Sequence, residues 1–129
     1  MTLYTHYLAM QSTGCYGSVM EPESIKQKRT QMSKGLLEFC ILLVISERRV
    51  YSSDILERLK KANLLVVEGT LYPLLSRLKS QGLLTYEWEE SKAGPPRKYF
   101  ELTELGRSTL THLRKTWKEL QTSITTLEK

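Results

Sequence analysis

Six large apolar residues near the end of the chain, Leu110, Leu113, Trp117, Leu120, Ile124 and Leu127, recur at intervals of 3, 4, 3, 4 and 3. A mean spacing of 3.5 residues keeps all six on one narrow line of an α-helix. That is the pattern of a seam between two helices, and not the broader stripe with which a helix covers its own domain. Covering the domain core would account for Leu105 and Leu110, but the line runs several turns beyond them. A helix with such a line is stable when the line is buried against a partner. The sequence therefore predicts a C-terminal dimerisation helix over residues 104–129, through which two copies of the chain join as a homodimer.

The 129 residues suffice for one domain with a modest core. An apolar content of 40% and a charged content of 26% are those of a soluble globular chain. A net charge of +5 favours an anionic partner without proving one. The run "LLEFCILLVI" (36–45) holds nine apolar residues around Glu38, too few to cross a bilayer and wrongly placed for a signal peptide. It reads as a buried helix that contributes Phe39 to the core. With no membrane segment, and with Cys15 and Cys40 too few for a disulfide scaffold, the expected setting is the reducing cytoplasm.

Residues 1–19 show neither period nor clear charge and read as a disordered arm or an upstream extension. The string "PESIKQKRTQM" (22–32) places acids before Lys26, Lys28 and Arg29, as a helix dipole prefers; the basic cluster is a solvated face or an auxiliary DNA contact. Ser33 is then expected to cap the buried helix of roughly 34–47, and Ser52 or Ser53 to cap a helix over 52–63 with Ile55, Leu56 and Leu59 inside. A third helix over 68–82 ends at Gly82 in a C′ position. "LLTYEWEES" (83–91) and "RKYFELT" (97–103) alternate as strands, and "KAGPP" (92–96) supplies the turn between them. Trp88 on the first strand is expected to pack inward. Thr103 is the predicted cap of the last helix, with Glu104 in its first turn.

Within "EGTLYPLLSRLKSQG" (68–82), Leu71, Leu74, Leu75 and Leu78 form the buried stripe. The opposite side carries Gly69, Pro73, Ser76, Arg77 and Ser80, flanked by Thr70 and Tyr72. It is small, polar and low in carboxylates, as befits a surface that lies against phosphates. Three helices, a hairpin and a long helix make a mainly α chain with a small β-hairpin. This is the order of a winged helix-turn-helix domain (20–103) followed by a dimer arm (104–129). In that architecture the third helix enters the major groove of double-stranded DNA and the wing touches flanking backbone. Gly69 and Pro73 then permit close approach, and Arg77 reaches bases or phosphates. Tyr72 either does the same or shields a helix junction. Thr70, Ser76 and Ser80 are candidate donors to phosphate, and Lys92, Arg97 and Lys98 surround the wing tip, whereas Lys79 at the stripe edge reads as a solvated residue or a contact to backbone phosphate.

Nothing in the chain suggests catalysis, a metal or a cofactor. His6 and His112 have no partner at ligand or nucleophile spacing, the cysteines lie 25 residues apart, and no glycine-rich phosphate loop occurs.

The strings "EGTLYPLLSRLKSQGLL", "YEWEES" and "GPPRKYFELTELGR" together resemble the PadR family of bacterial transcriptional regulators, over roughly residues 34–107. The resemblance implies a homodimer that binds a two-fold-related operator and represses a nearby gene. The C-terminal helix with Trp117 looks like that of the compact subgroup of multidrug-sensing repressors, in which a tryptophan paired across the dimer stacks flat aromatic ligands. The string "KTWKEL" puts Trp117 at the matching position, so it has two readings, a seam residue and the wall of a site for a small aromatic effector. The chain departs from the family pattern at Tyr51, Ser52, Ser53, Asp54 and Ile55, where a His-Gly-Tyr-Glu-Ile-like stretch is usual. It departs again at Val67-Glu68, where Ser-Pro would cap the recognition helix. The competing expectation, from another class, is a winged-helix protein-interaction module that does not bind DNA.

Overall fold

The computed structural model describes residues 22–64 and 66–129, which fall into two compact units divided after Leu36. The stretch 1–19 lies outside the described residues. In the first unit, helix α1 (Glu23–Lys34) starts where the Pro22 carbonyl accepts from Ile25 and Lys26, each at 3.1 Å. Glu23 in its first turn and Lys34 in its last suit the helix dipole. Ser33 does not cap the following helix. It belongs to the last turn of α1, and its carbonyl accepts the Leu36 N–H at 3.0 Å.

The second unit runs α2 (Leu37–Ser46), β1 (Val50–Tyr51), α3 (Ser52–Lys61), α4 (Glu68–Ser80), β2 (Leu84–Ser91), β3 (Gly94–Leu102) and α5 (Glu104–Glu128). Its core is entirely apolar among the described residues. Ile41, Leu42 and Ile45 of α2, Ile55 and Leu59 of α3, and Leu71, Leu75 and Leu78 of α4 are all essentially inaccessible, with Leu84, Phe100, Leu102 and Leu110 closing the other side. Leu74 is only half-buried, so the stripe of α4 is narrower than its leucines suggest. Phe39 packs partly buried against this core, as expected.

Both helices of the helix-turn-helix stop in the same way. At the end of α3, Asn63 takes the left-handed conformation (φ 63°), the Leu64 N–H reaches the Leu59 carbonyl at 2.8 Å, and the Asn63 N–H reaches the Lys60 carbonyl at 2.9 Å. At the end of α4, Gly82 (φ 80°) repeats the pattern through Leu83 to Leu78 at 3.0 Å and Gly82 to Lys79 at 2.9 Å. These paired bonds satisfy carbonyls that a helix end otherwise leaves open. The start of α3 differs from expectation. Its N-cap is Tyr51, without a side-chain cap, because Ser52 is already helical and its hydroxyl shares a 3.1 Å hydrogen bond with the Tyr72 hydroxyl.

The sheet has three antiparallel strands in the order β1-β3-β2, one more than the hairpin foreseen. Val50 pairs with Phe100 and Tyr51 with Tyr99, a strand too short for alternation to reveal. The hairpin turns at Lys92-Ala93, since Ser91 pairs with Gly94. Pro95 and Pro96 therefore lie within β3 and not at the tip. Between the pairs Glu89–Arg97 and Ser91–Gly94 one extra residue stands on β3. A bulge along an edge is where prolines, lacking an N–H for the ladder, are accommodated.

Thr103 joins wing, recognition helix and arm. Its hydroxyl donates to the Gly82 carbonyl at 2.7 Å and accepts from the Gly106 N–H at 3.0 Å, while its own N–H donates to the Leu83 carbonyl at 3.1 Å. One side chain thus caps α5 and fastens it to the end of α4. Leu105, expected in the core, is instead exposed.

Arg58 of α3 holds Glu47 beyond the end of α2 through two bonds of 2.9 and 3.0 Å, and this pairing keeps the Glu47 carboxyl below the usual carboxylate range. A lowered folded-state pKa stabilises above the unfolded carboxyl's pKa, and the benefit disappears as pH falls through the folded value. Glu47→Gln is expected to remove a small part of the acid sensitivity of unfolding while changing neutral stability little, because the pair is exposed. Urea midpoints of both chains at neutral and acid pH measure this.

Candidate nucleic-acid interface

Helix α4 turns Leu71, Leu75 and Leu78 inward and leaves Gly69, Thr70, Tyr72, Pro73, Ser76, Arg77, Lys79 and Ser80 exposed. The only acid on the helix is Glu68, at its first residue, where the dipole favours it. No side chain caps this start on Val67, consistent with the missing Ser-Pro. A Cβ added to Gly69 would meet nothing within 4 Å, so the protein's own packing does not require glycine there. Pro73 is the sixth residue of α4, deeper than a helix start. It removes the N–H that would otherwise bond the Gly69 carbonyl.

The flanks of the ridge differ. On one, Arg77 pairs with Glu38 in the first turn of α2, so the guanidinium foreseen as a reader of DNA is already engaged by a carboxylate in the free chain. On the other, Tyr72 meets Ser52, and Lys79 lies with its ammonium 5.1 Å from the centre of the Tyr86 ring on the wing.

The wing divides its basic residues between two faces, because successive residues of a strand point oppositely. Lys98 faces the recognition helix, its ammonium 4.4 Å from the Tyr86 ring and 5.2 Å from that of Trp88, its cross-strand partner. Arg97 lies on the other face, stacked 4.6 Å over Tyr51. There Tyr51 meets Tyr99 edge-on, Arg49 lies 5.0 Å over Tyr99, and Arg49 pairs with Glu87 and Glu89. Lys92 is exposed at the tip. Of the three basic wing residues foreseen, the fold brings only Lys98 beside the exposed side of α4. Trp88 is not a packing residue: it is 61% exposed. Lys79 lies beside the Tyr86 ring that Lys98 also approaches, and Trp88 lies beside Lys98. Lys26, Lys28 and Arg29 belong to α1, in the other unit.

Along α5, Leu110 is buried in its own domain's core, and Leu113 and Trp117 are half-buried. Leu120, Ile124 and Leu127 stand 46%, 48% and 85% exposed in the single chain. The seam thus divides along its length: Leu110 and, in part, Leu113 are taken up by the domain's own core, and Leu120, Ile124 and Leu127 are open.

A helix-turn-helix made by α3 and α4, closed by a three-stranded sheet with an extended hairpin, defines a winged helix-turn-helix protein. The pattern of the "Transcriptional regulator PadR-like family" matches residues 41–112, from α2 into α5. A PadR-like transcription factor from Bacteroides fragilis is 52% identical, with 78% of this chain and 98% of that one covered, at a TM-score of 0.68. A PadR-like transcriptional regulator from Bacillus cereus is 36% identical over 77% of this chain and 97% of its own, at a TM-score of 0.70. The Mycobacterium tuberculosis protein named Transcriptional regulator Rv3488 is 30% identical over 90 residues, 70% of this chain and 83% of that protein. The chain belongs to the PadR-like family of transcriptional regulators. It is accordingly a DNA-binding regulator and not an enzyme. Among the described residues no group of acids, histidines and cysteines is placed to hold a metal, and no helix is long and apolar enough to cross a membrane.

Proposed function

We propose that the chain acts as a homodimeric repressor that sets two α4 helices on the half-sites of one operator, with residues 20–103 as the DNA-binding part and 104–129 as the dimer arm. The observation that carries this reading is the open line of Leu120, Ile124 and Leu127 on an arm fastened to the recognition helix through Thr103. Exposed apolar side chains in register on one helix favour a second helix of the same kind. Two arms joined along that line fix the separation of two recognition helices, which sets half-site spacing. Thr70, Tyr72, Pro73, Ser76, Ser80 and Lys98 are the residues expected against DNA, with Lys92 and Arg97 reaching flanking backbone and Arg77 available once released from Glu38.

Gel shifts with the duplex upstream of the chain's own gene test this reading. Binding that weakens steeply with salt supports it, since each neutralised phosphate adds about 0.9 to the log–log slope. Binding absent at low salt supports the interaction-module alternative.

Trp117 is proposed as one wall of a site for a planar aromatic effector that relieves repression, since a half-buried indole on the open seam would face its counterpart across the dimer. In a Trp88→Phe chain, where Trp117 is the sole tryptophan, a planar cationic dye at micromolar concentration is expected to quench the fluorescence. Unaltered emission at saturating dye would leave Trp117 as a packing residue.

A further inference from the structure

The cleft between recognition helix and wing holds two cations without a counter-charge. Lys79, in the last turn of α4, and Lys98, on β3, both hold their ammonium groups near the one ring of Tyr86, at 5.1 and 4.4 Å from its centre. Neither makes an ion pair with a carboxylate among the described residues. Ion pairs elsewhere in this unit include Arg77–Glu38, Arg49–Glu89 and Arg58–Glu47. Two ammonium groups held near one ring repel each other, and the ring's attraction only partly offsets this. Both lysines line the same cleft, so an anion seated there would meet both charges.

We propose that this cleft seats one backbone phosphate of the DNA, shared by Lys79 and Lys98. The inference rests on the DNA-binding reading and adds the atoms that meet a particular phosphate. The cleft has a volume of about 80 Å³ and is floored by buried Leu75 and Phe100. That is room for a few water molecules, enough for one phosphate group and too little for a planar effector. Ser76 lines it, and the Tyr72 hydroxyl at its mouth is held by Ser52 at 3.1 Å, so neutral donors stand beside the two charges. It adjoins the exposed side of α4, and a strand laid along that ridge passes it. Tyr86 fixes both ammonium groups before DNA arrives, which limits the side-chain entropy lost on binding.

The test is the salt dependence of binding for the full chain, Lys79→Ala, Lys98→Ala and the double variant. The probes are the chain's own upstream duplex and a scrambled duplex of the same length. One lysine still neutralises a shared phosphate, so either single variant keeps nearly the parental slope. The double variant loses about 1.8 from it, 0.9 for each of two seats in the dimer. Both duplexes weaken by the same factor, because a phosphate contact carries no sequence information. A double variant with the parental slope overturns the proposal. So do single losses of about 1.8 that sum to about 3.6 in the double, which would mean separate phosphates. A change in preference between the duplexes would mean a base contact and would overturn it as well. Inorganic phosphate replacing chloride at equal ionic strength is expected not to compete; competition at millimolar phosphate would make the cleft a free-anion site and contradict the assignment to DNA. If the parental chain bound neither duplex, the underlying reading would fail instead.

Discussion

A chain carrying Leu120→Asp and Ile124→Asp is expected to remain folded, to sediment as a monomer and to bind its operator at least a hundredfold more weakly. Both side chains are about half exposed in the single chain, so their loss removes little from the domain itself. In a dimer they recur on both arms, giving four buried side chains. Burial of a fully exposed leucine or isoleucine contributes about 1.5–3 kcal/mol and about half of each is already covered, so roughly 3–6 kcal/mol of association is lost before repulsion among four carboxylates is counted. A monomer then holds one half-site alone. Linked sites commonly gain a factor of about 10²–10⁴ over single ones, which sets the expected fall in affinity. Sedimentation and gel shifts on the same preparation measure the two effects, and circular dichroism checks the fold. A dimer surviving the double substitution would remove the seam from the interface.

Gly106→Ala is expected to destabilise the domain by about 3 kcal/mol or more, the upper part of the range for overpacking. Helix propensity alone predicts the opposite sign, since alanine is favoured over glycine in a helix by about 1 kcal/mol. The decisive fact is local: a Cβ at Gly106 would stand 2.1 Å from the Leu83 carbonyl oxygen and 3.1 Å from its carbon. Backbone on both sides cannot yield as a flexible side chain can. The same carbonyl receives the Thr103 N–H, so displacing α5 also strains the cap and the bond from Thr103 to Gly82. A melting temperature lowered by roughly 10–20 °C is the expected readout for a domain of this size. DNA affinity should suffer even below that temperature, because the arm's angle to α4 is set at this point. An alanine chain as stable as the parent would show that α5 does not seat against Leu83 as described.

How far these features could be read beforehand depended on whether they are local. Gly82 as a helix stop and Thr103 as a helix cap involve bonds within a few residues and were legible from residue type. Gly94, Pro95 and Pro96 are turn formers by composition, but the part of β3 beyond its pairing with β1 has one free edge and a bulge, and accepts them equally well. Strand β1 escaped because two residues have no period. Ser33 and Ser52 looked like caps, but the first lies inside α1 and the second is committed to Tyr72 across the chain.

The site followed the same division. The exposed side of α4 follows from helical geometry and is present as expected. Which wing cation accompanies it could not be read without the register that sets Lys98 opposite Trp88 and turns Arg97 away. The pairing of Arg77 with Glu38 joins residues 39 apart, and that of Lys79 with the wing depends on where α4 meets β2. Neither contact leaves a local trace in the chain.

In the proposed dimer two chains join by their arms before either reads DNA. Sedimentation equilibrium of the unaltered chain at micromolar concentration, alone and with its upstream duplex, addresses this directly. The predicted result is a mass of 30 kDa, twice the 15.0 kDa chain, and two chains on each bound duplex. A species of 15.0 kDa that binds the duplex one chain at a time would contradict it.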